Sequence, residues 1–190
     1  MLENNRIKLR DIQYSAIYDV FEYAKDKDVG PMAGWPAHKT INDTISVMNM
    51  WLDPNHCEEV FAIVYKDHKK VIGTCGVQQL NQNIKDGKNK YVNDRLSDGK
   101  NLYEIGIVIS KEYWNQGIAT DVLKLIEEYV FLVKNADEII VCHYAENIGS
   151  MRIQEKNNYK KVFEFERDKK WWITDCTTMV VRSKTREECK

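Results

Sequence analysis

Residues 107–120 read Ile-Val-Ile-Ser-Lys-Glu-Tyr-Trp-Asn-Gln-Gly-Ile-Ala-Thr, the segment of the chain richest in chemistry. An apolar run with the character of a buried strand passes through a short loop into a helix start. Gly117 and Ala119 stand two residues apart at that start, where small side chains let a ligand approach the backbone. The first N–H groups of a helix have no partner inside it, and its dipole makes that end positive, so such a turn binds phosphate. An ordinary strand-to-helix turn, with small residues for packing, is the plainer alternative. The dinucleotide fingerprint G-x-G-x-x-G is absent, which leaves a Rossmann site poorly supported.

Other residues offer acid–base chemistry. Glu104 is a carboxylate in an otherwise apolar strand, 102–109. Burial there raises a carboxyl toward the range in which a general base works. Against that stands a strand-end glutamate that faces solvent or pairs with a lysine. Ser150 lies in the first turn of a helix opening after Asn147, as proton donor or as cap. His38 follows Trp35-Pro36 in a loop, and His143 sits on an apolar strand where a satisfied core histidine is the simpler reading. Cys142 has no oriented base beside it in sequence. The five cysteines are scattered and include no C-x-x-C, so neither a zinc site nor a disulfide framework is expected. Free thiols suit a reducing, cytoplasmic compartment.

The elements that must position these groups follow from pattern. Residues 6–10 alternate as a half-buried strand does. Ile17, Val20, Phe21 and Ala24 mark a helix expected to end near Gly30-Pro31. Thr40 caps a second helix reaching about Leu52. Runs at 60–65 and 71–77, separated by Lys66-Asp67-His68-Lys69, predict a hairpin. Gly73 within the second run signals a bulge or a close backbone approach. Residues 81–101 carry five basic and three acidic side chains and read as a long loop. A helix from Gly117 shows one apolar stripe of Ala119, Val122, Leu123, Ile126, Val130 and Val133. Strand 139–144, a helix to about Asn157 with Asn158 left-handed, and two strands around Asp168-Lys169-Lys170 complete the chain. The order β-α-α-β-β-β-α-β-α-β-β gives a mixed α/β sandwich around one sheet.

Composition narrows the function classes. The chain has 190 residues, 43% hydrophobic and 30% charged, with nine glycines and three prolines. That suits one domain, 1–190, and excludes collagenous or low-complexity chains. A net charge of −1 disfavours a dedicated nucleic-acid binder. No apolar stretch of about 18 residues predicts a membrane span, and the polar start shows no signal peptide.

Tyr113-Trp114-Asn115-Gln116-Gly117-Ile118-Ala119-Thr120 resembles the acetyl-CoA loop of the GNAT N-acetyltransferases. The likeness is to the RimJ/RimL-like branch, which acetylates ribosomal-protein N-termini, and it spans nearly the whole chain. Arg6-Ile7-Lys8-Leu9-Arg10 resembles that branch's opening strand, Val71-Ile72-Gly73 its hairpin and Glu104-Ile105-Gly106 its fourth strand. Glu146-Asn147-Ile148-Gly149-Ser150-Met151-Arg152, followed by Glu155-Lys156, resembles its E-N-x-x-S-x-R…E-K helix. The resemblance implies a mostly antiparallel sheet of about seven strands with about four helices on its two faces.

It also implies roles. Backbone groups of Ile107, Val108 and Ile109 would pair with the pantetheine arm, and the N–H groups from Asn115 through Gln116, Gly117, Ile118 and Ala119 to Thr120 would hold the pyrophosphate. Asn147 would contact the cofactor arm, and a backbone N–H of Val108 or Ile109 would stabilise the oxyanion. Acetyl-CoA would be the co-substrate, without a metal. A primary amine, either a peptide N-terminus or a small molecule, would attack it directly, with Glu104 as base and Ser150 as proton donor to the thiolate. Trp35 and His38 would border the acceptor, with Trp171-Trp172 a minority reading for that cleft. A homodimer is left open. The sequence departs from the wider family at Trp114, where Arg or Gln is usual, and at Gln154, where many members carry a tyrosine that protonates the thiolate. A non-catalytic acyl-CoA-binding domain and a purely structural domain are the rival readings.

Overall fold

The computed structural model describes all residues except 1, 83, 85, 168–176 and 190. Asp168-Lys169-Lys170, Trp171-Trp172 and Cys176 lie outside the described residues. One seven-stranded sheet runs through the molecule in the order β1-β2-β3-β4-β5-β7-β6. Its strands are β1 (Ile7–Asp11), β2 (Glu58–Tyr65), β3 (Lys70–Gln79), β4 (Leu102–Ile109), β5 (Glu138–Tyr144), β6 (Lys160–Glu166) and β7 (Thr178–Thr185). Every neighbouring pair is antiparallel except β4–β5. That pair is parallel because α5 (Ile118–Leu132) crosses over between its strands. The mixed, mostly antiparallel architecture is the one expected from the sequence.

Alternation along the strands sends side chains to two cores. Ile105 and Ile109 of β4, Cys75 and Val77 of β3, and Ile139 and Val141 of β5 join Val122, Leu123, Ile126 and Val130 of α5. On the other face α1 (Ile17–Ala24) and α3 (Ile41–Trp51) bury Val20, Tyr23 and Met48 against Val60, Ala62 and Val71. The cap expected at Thr40 forms, as a capping box with Asp43. The α5 stripe is shorter than its periodicity suggested. Val133 is the C-cap and lies exposed, and Phe131 is buried instead.

Two elements correct the sequence reading. The first helix ends at Ala24, and Gly30-Pro31 opens a separate short helix, α2 (Gly30–Ala33). A proline in a first helical turn lacks an N–H that had no partner there anyway. Within 81–101, expected as a loop, α4 (Asn89–Ser97) buries Val92 completely and packs Tyr91 and Leu96 beside Leu80, Leu102 and Ile140. Its apolar positions are too few to give a helical period in so polar a window. Last in chain order is α6 (Ile148–Lys156), followed by Asn158 in the expected left-handed conformation.

Gly73 fulfils its sequence signal. A Cβ there would lie 2.1 Å from the Val108 carbonyl oxygen, and the β2–β3 register shifts next to it, between Ile63 and Val64. Only a residue without a side chain lets β3 run this close to the end of β4. Gly73→Ala is therefore expected to destabilise the fold by roughly 1–3 kcal/mol, because backbone cannot step aside cheaply. A lowered urea midpoint with an unchanged slope would show it.

Candidate active site

The loop after β4 is built to expose N–H groups. Asn115 and Gly117 have φ of 59° and 77°, one on each side of Gln116. Alternating left-handed residues turn successive peptide N–H groups to one concave side, an anion-binding nest. Gly117 is the N-cap of α5 and supplies no side-chain cap, so the first-turn amides of Ile118, Ala119 and Thr120 keep their donor capacity. The Trp114 indole N–H donates to the Ile109 carbonyl at 2.8 Å, and Gln116 Nε2 donates to the Glu112 carbonyl at 2.8 Å. Trp114 thus ties the loop to the strand end. The six residues expected to form the phosphate turn, 115–120, lie together here.

Beside this loop the sheet parts. β4 and β5 pair only at Leu102–Glu138, Tyr103–Ile139 and Glu104–Ile140. Beyond those three pairs β4 runs on to Ile109 and β5 to Tyr144 without joining. The direction of the β4 backbone groups follows from two bonds: Leu80 N–H donates to the Leu102 carbonyl (2.9 Å) and Ser110 N–H to the Ile72 carbonyl (2.7 Å). With the continuous register between them, even-numbered β4 residues exchange bonds with β3, and odd-numbered ones face the gap. Ile107 and Ile109 therefore turn backbone groups toward the gap, where the Ile109 carbonyl already accepts from the Trp114 indole. The N–H and carbonyl of Val108 face Thr74 of β3. Asn147 is engaged as the α6 N-cap. Its Oδ1 accepts from Ser150 N–H at 3.0 Å, and its Nδ2 donates to the Met32 carbonyl at 3.4 Å.

Glu104, Gly106 and Val108 point to the face of α1, α3 and α4. A Cβ on Gly106 would meet nothing within 4 Å, so open space stands over the strand there. Glu104 borders it, paired with the Lys88 ammonium at 2.9 Å. Lys88 is buried and also pairs with Asp86 at 2.9 Å. Burial alone would lower its pKa, but the charges of Glu104 and Asp86 outweigh that and raise it. Burial, reinforced by Glu104, holds Cys142 well above the usual thiol range, so it stays protonated.

Sequence reasoning missed Lys88, because a lysine in a polar window gives no signal. It also missed Glu58. This carboxylate lies directly over Gly76, with Oε1 only 1.8 Å from where a Cβ would be, and Gly76 pairs across the ladder with Gly106. Burial raises the Glu58 pKa, His56 opposes that, and Glu104 adds to it. The opposed glycines on adjacent strands were the available clue.

Ser150 Oγ accepts from Gln154 Nε2 at 3.0 Å, and the same nitrogen lies 3.4 Å from the Cys142 carbonyl. Gln154 therefore takes a lone pair of the serine and leaves its proton to be donated elsewhere. Trp35 packs against the core under α1 and α3, its ring 5.3 Å from that of His38. His38 Nδ1 lies 2.8 Å from the buried Thr44 Oγ1. Both residues expected at the acceptor are half-buried. His143 is buried, with Nδ1 donating to the Tyr144 carbonyl at 2.8 Å, as a core histidine would be. Among the described residues no group of three or more His, Cys, Asp or Glu could hold a metal ion, and no helix is long and apolar enough to cross a membrane.

A parted sheet with an N–H-lined loop at its mouth is what an acyltransferase domain needs, and comparison with known families agrees. Residues 6–160 match the acetyltransferase (GNAT) domain model, and the chain belongs to that family. It is 26% identical over 176 residues to the uncharacterized N-acetyltransferase YnaD of Bacillus subtilis, covering 90% of this chain and 91% of that one. A GNAT-family acetyltransferase from Bacillus anthracis has the same fold, with TM-score 0.73, 21% identity and 98% coverage of both chains. A Vibrio cholerae spermidine N-acetyltransferase in complex with CoA and spermine superposes with TM-score 0.73 at 14% identity, over 98% of this chain and 99% of that one. A Vibrio fischeri ribosomal-protein-S5-alanine acetyltransferase does so with TM-score 0.69 at 16% identity, over 99% and 97%.

The histidines give this site's surroundings a pH signature. Burial, the largest influence on each, lowers the pKa of His38 and of His143 below the ordinary 6.5. The unfolded chain then binds these protons more tightly than the folded one, so stability is whole above about pH 7 and falls as pH drops through 6.5. Urea midpoints should decline between about pH 7.5 and 5.5. The decline should shrink in the double variant His38→Gln, His143→Gln.

Proposed function

We propose that the protein acetylates a primary amine, taking the acetyl group from acetyl-CoA without an acyl-enzyme intermediate. The observation that carries this reading is the gap between β4 and β5 after Glu104, which ends at the N-terminal turn of α5. An extended pantetheine arm fits such a gap as an added strand, using the outward backbone groups of Ile107 and the N–H of Ile109. The amides of 115–120 suit the pyrophosphate. The gap-facing N–H of Ile107 or Ile109 suits the oxygen that becomes negative when nitrogen attacks the thioester carbonyl. As the C–N bond forms and the C–S bond breaks, the amine loses a proton and the thiolate gains one.

Ser150 is placed as donor to the thiolate, since Gln154 fills the serine's acceptor side. Glu104 is proposed as the proton acceptor, with Glu58 as a second candidate because Lys88 already neutralises Glu104. Both carboxylates border the space over Gly106. The motif run from Glu146 to Lys156 favours the RimJ/RimL-like branch and hence a protein N-terminal α-amine as acceptor, in a cytoplasmic setting. A polyamine is the rival acceptor, as in the Vibrio cholerae spermidine enzyme of the same fold. A non-catalytic acyl-CoA binder is the rival function.

Acetyl-CoA should raise the melting temperature, since a ligand that binds only the folded state stabilises it. No shift at millimolar acetyl-CoA would remove both enzyme and binder readings. A panel of N-terminal peptides and polyamines, followed by thiol release and mass spectrometry, should then give acetylated peptide. Glu104→Gln is expected to cut turnover by about 10²-fold while CoA binding holds. If Glu58→Gln does so and Glu104→Gln does not, Glu58 is the base. Ser150→Ala should cost less, about tenfold, because a thiol with pKa near 8.5 leaves with little help.

A further inference from the structure

Arg6 lies far from the phosphate loop in sequence, immediately before β1, yet its side chain ends there. Nη1 donates to the Gln116 carbonyl at 2.8 Å, and Nη2 pairs with Asp121 at 2.6 Å. The same Nη2 lies 3.6 Å from where a Cβ of Gly117 would stand, so the guanidinium rests against the turn itself. The backbone of Arg6 is held from both sides: its N–H donates to Asn4 Oδ1 at 2.8 Å, and its carbonyl accepts from Lys66 N–H at 2.9 Å. Asn4 Nδ2 also donates to Asp121 Oδ2, at 2.9 Å.

Two consequences follow from elementary geometry and charge. In a trans peptide the carbonyl and the next residue's N–H point in opposite directions. A guanidinium that holds the Gln116 carbonyl on one side of the loop therefore directs the Gly117 N–H to the other. Without that grip the Gln116–Gly117 peptide is easily inverted, because glycine accepts both signs of φ. Inversion would aim a carbonyl oxygen at the anion site. Asp121, in the first turn of α5, is the second matter. Its carboxylate would repel a phosphate at that helix end, and Arg6 and Asn4 together offset it.

We infer that Arg6 is a positioning residue for cofactor binding: it presets the Gln116–Gly117 peptide and neutralises Asp121, so that the turn meets a pyrophosphate with N–H groups. This rests on the reading of the loop as the pyrophosphate site of acetyl-CoA. It assigns Arg6 no contact with the acceptor and none with the reacting atoms.

The test separates phosphate binding from general damage. CoA affinity is measured by calorimetry for wild type, Arg6→Met and Arg6→Lys. Turnover is measured with acetyl-CoA and with acetyl-pantetheine, which keeps the thioester arm and lacks the pyrophosphate. Arg6→Met should bind CoA about tenfold more weakly and raise the KM for acetyl-CoA to match. Its kcat/KM with acetyl-pantetheine should stay within about twofold of wild type. Arg6→Lys, which restores the charge opposite Asp121 without the planar two-pronged donor, should fall between. Undiminished CoA affinity in both variants would overturn the inference. So would a loss of the same size with acetyl-pantetheine, which would mark Arg6 as merely structural. Should Arg6→Met fail to fold, Arg6→Lys decides by the same ratio of the two substrates. Wild type that binds no CoA would instead overturn the reading of the loop, and the inference with it.

Discussion

Two adjacent parallel strands that stop bonding after three residue pairs present a physical problem. Backbone N–H and carbonyl groups in the middle of a sheet are normally paired, and leaving them unpaired is costly unless water or a ligand takes the partner's place. Past Glu104 and Ile140 side chains stand in for part of the missing ladder: the Trp114 indole on the Ile109 carbonyl and Gln154 Nε2 at 3.4 Å from the Cys142 carbonyl. Much of the rest of the molecule serves to keep the gap open. β3 holds β4 from behind, which requires the close approach at Gly73. On the far side β7 pairs with β5 along its whole length, from Glu138 to Tyr144. α5 closes the crossover beneath, burying its stripe on both strands. Each parted strand is thus braced on its outer edge, and neither is free to drift back.

The two faces of the parted sheet differ in charge. The α5 face holds the buried Glu127–Lys184 pair (2.6 Å) and, at the loop, the Arg6 guanidinium beside the amides. The opposite face carries Glu58, Glu104, Asp86 and a buried lysine. Lys88 is the unexpected member, delivered by the turn that opens α4. A buried ammonium between two carboxylates is stable where it sits, and removing Lys88 would leave the two carboxylates without their shared counter-charge. The segment from Asp86 to Leu96 is therefore held to this face of the sheet by ion pairs at its start and by Val92 and Leu96 further along.

Most of the strands and long helices were legible because their signals are local: alternation in β2 and β3, the stripe of α5, the caps at Thr40 and Asn147. The strand-to-helix turn at 115–120 was legible because an apolar strand there meets Gly117 and Ala119 at a helix start. What stayed hidden depended on pairs far apart in sequence. α4 packs through three apolar side chains in a polar window, and only the sheet below gives them a reason to be helical. Glu58 acquires its place from a missing side chain eighteen residues later, at Gly76. The parity that turns Val108 toward β3 and Ile107 toward the gap is fixed by cross-strand register, which a single strand's sequence does not contain.

Gly76 and Gly106 are cross-strand partners with opposite fates. Over Gly76 the space is already filled by the Glu58 carboxylate, and over Gly106 it is empty. The extent of the open space at that point is consequently set by the smallest unit of inheritance available. One codon change can add a methyl group to its floor without moving any neighbour, and a further change can enlarge it. If this space receives the amine of the proposed reaction, acceptor range can drift by filling in, while the loop, the gap and the crossover stay as they are.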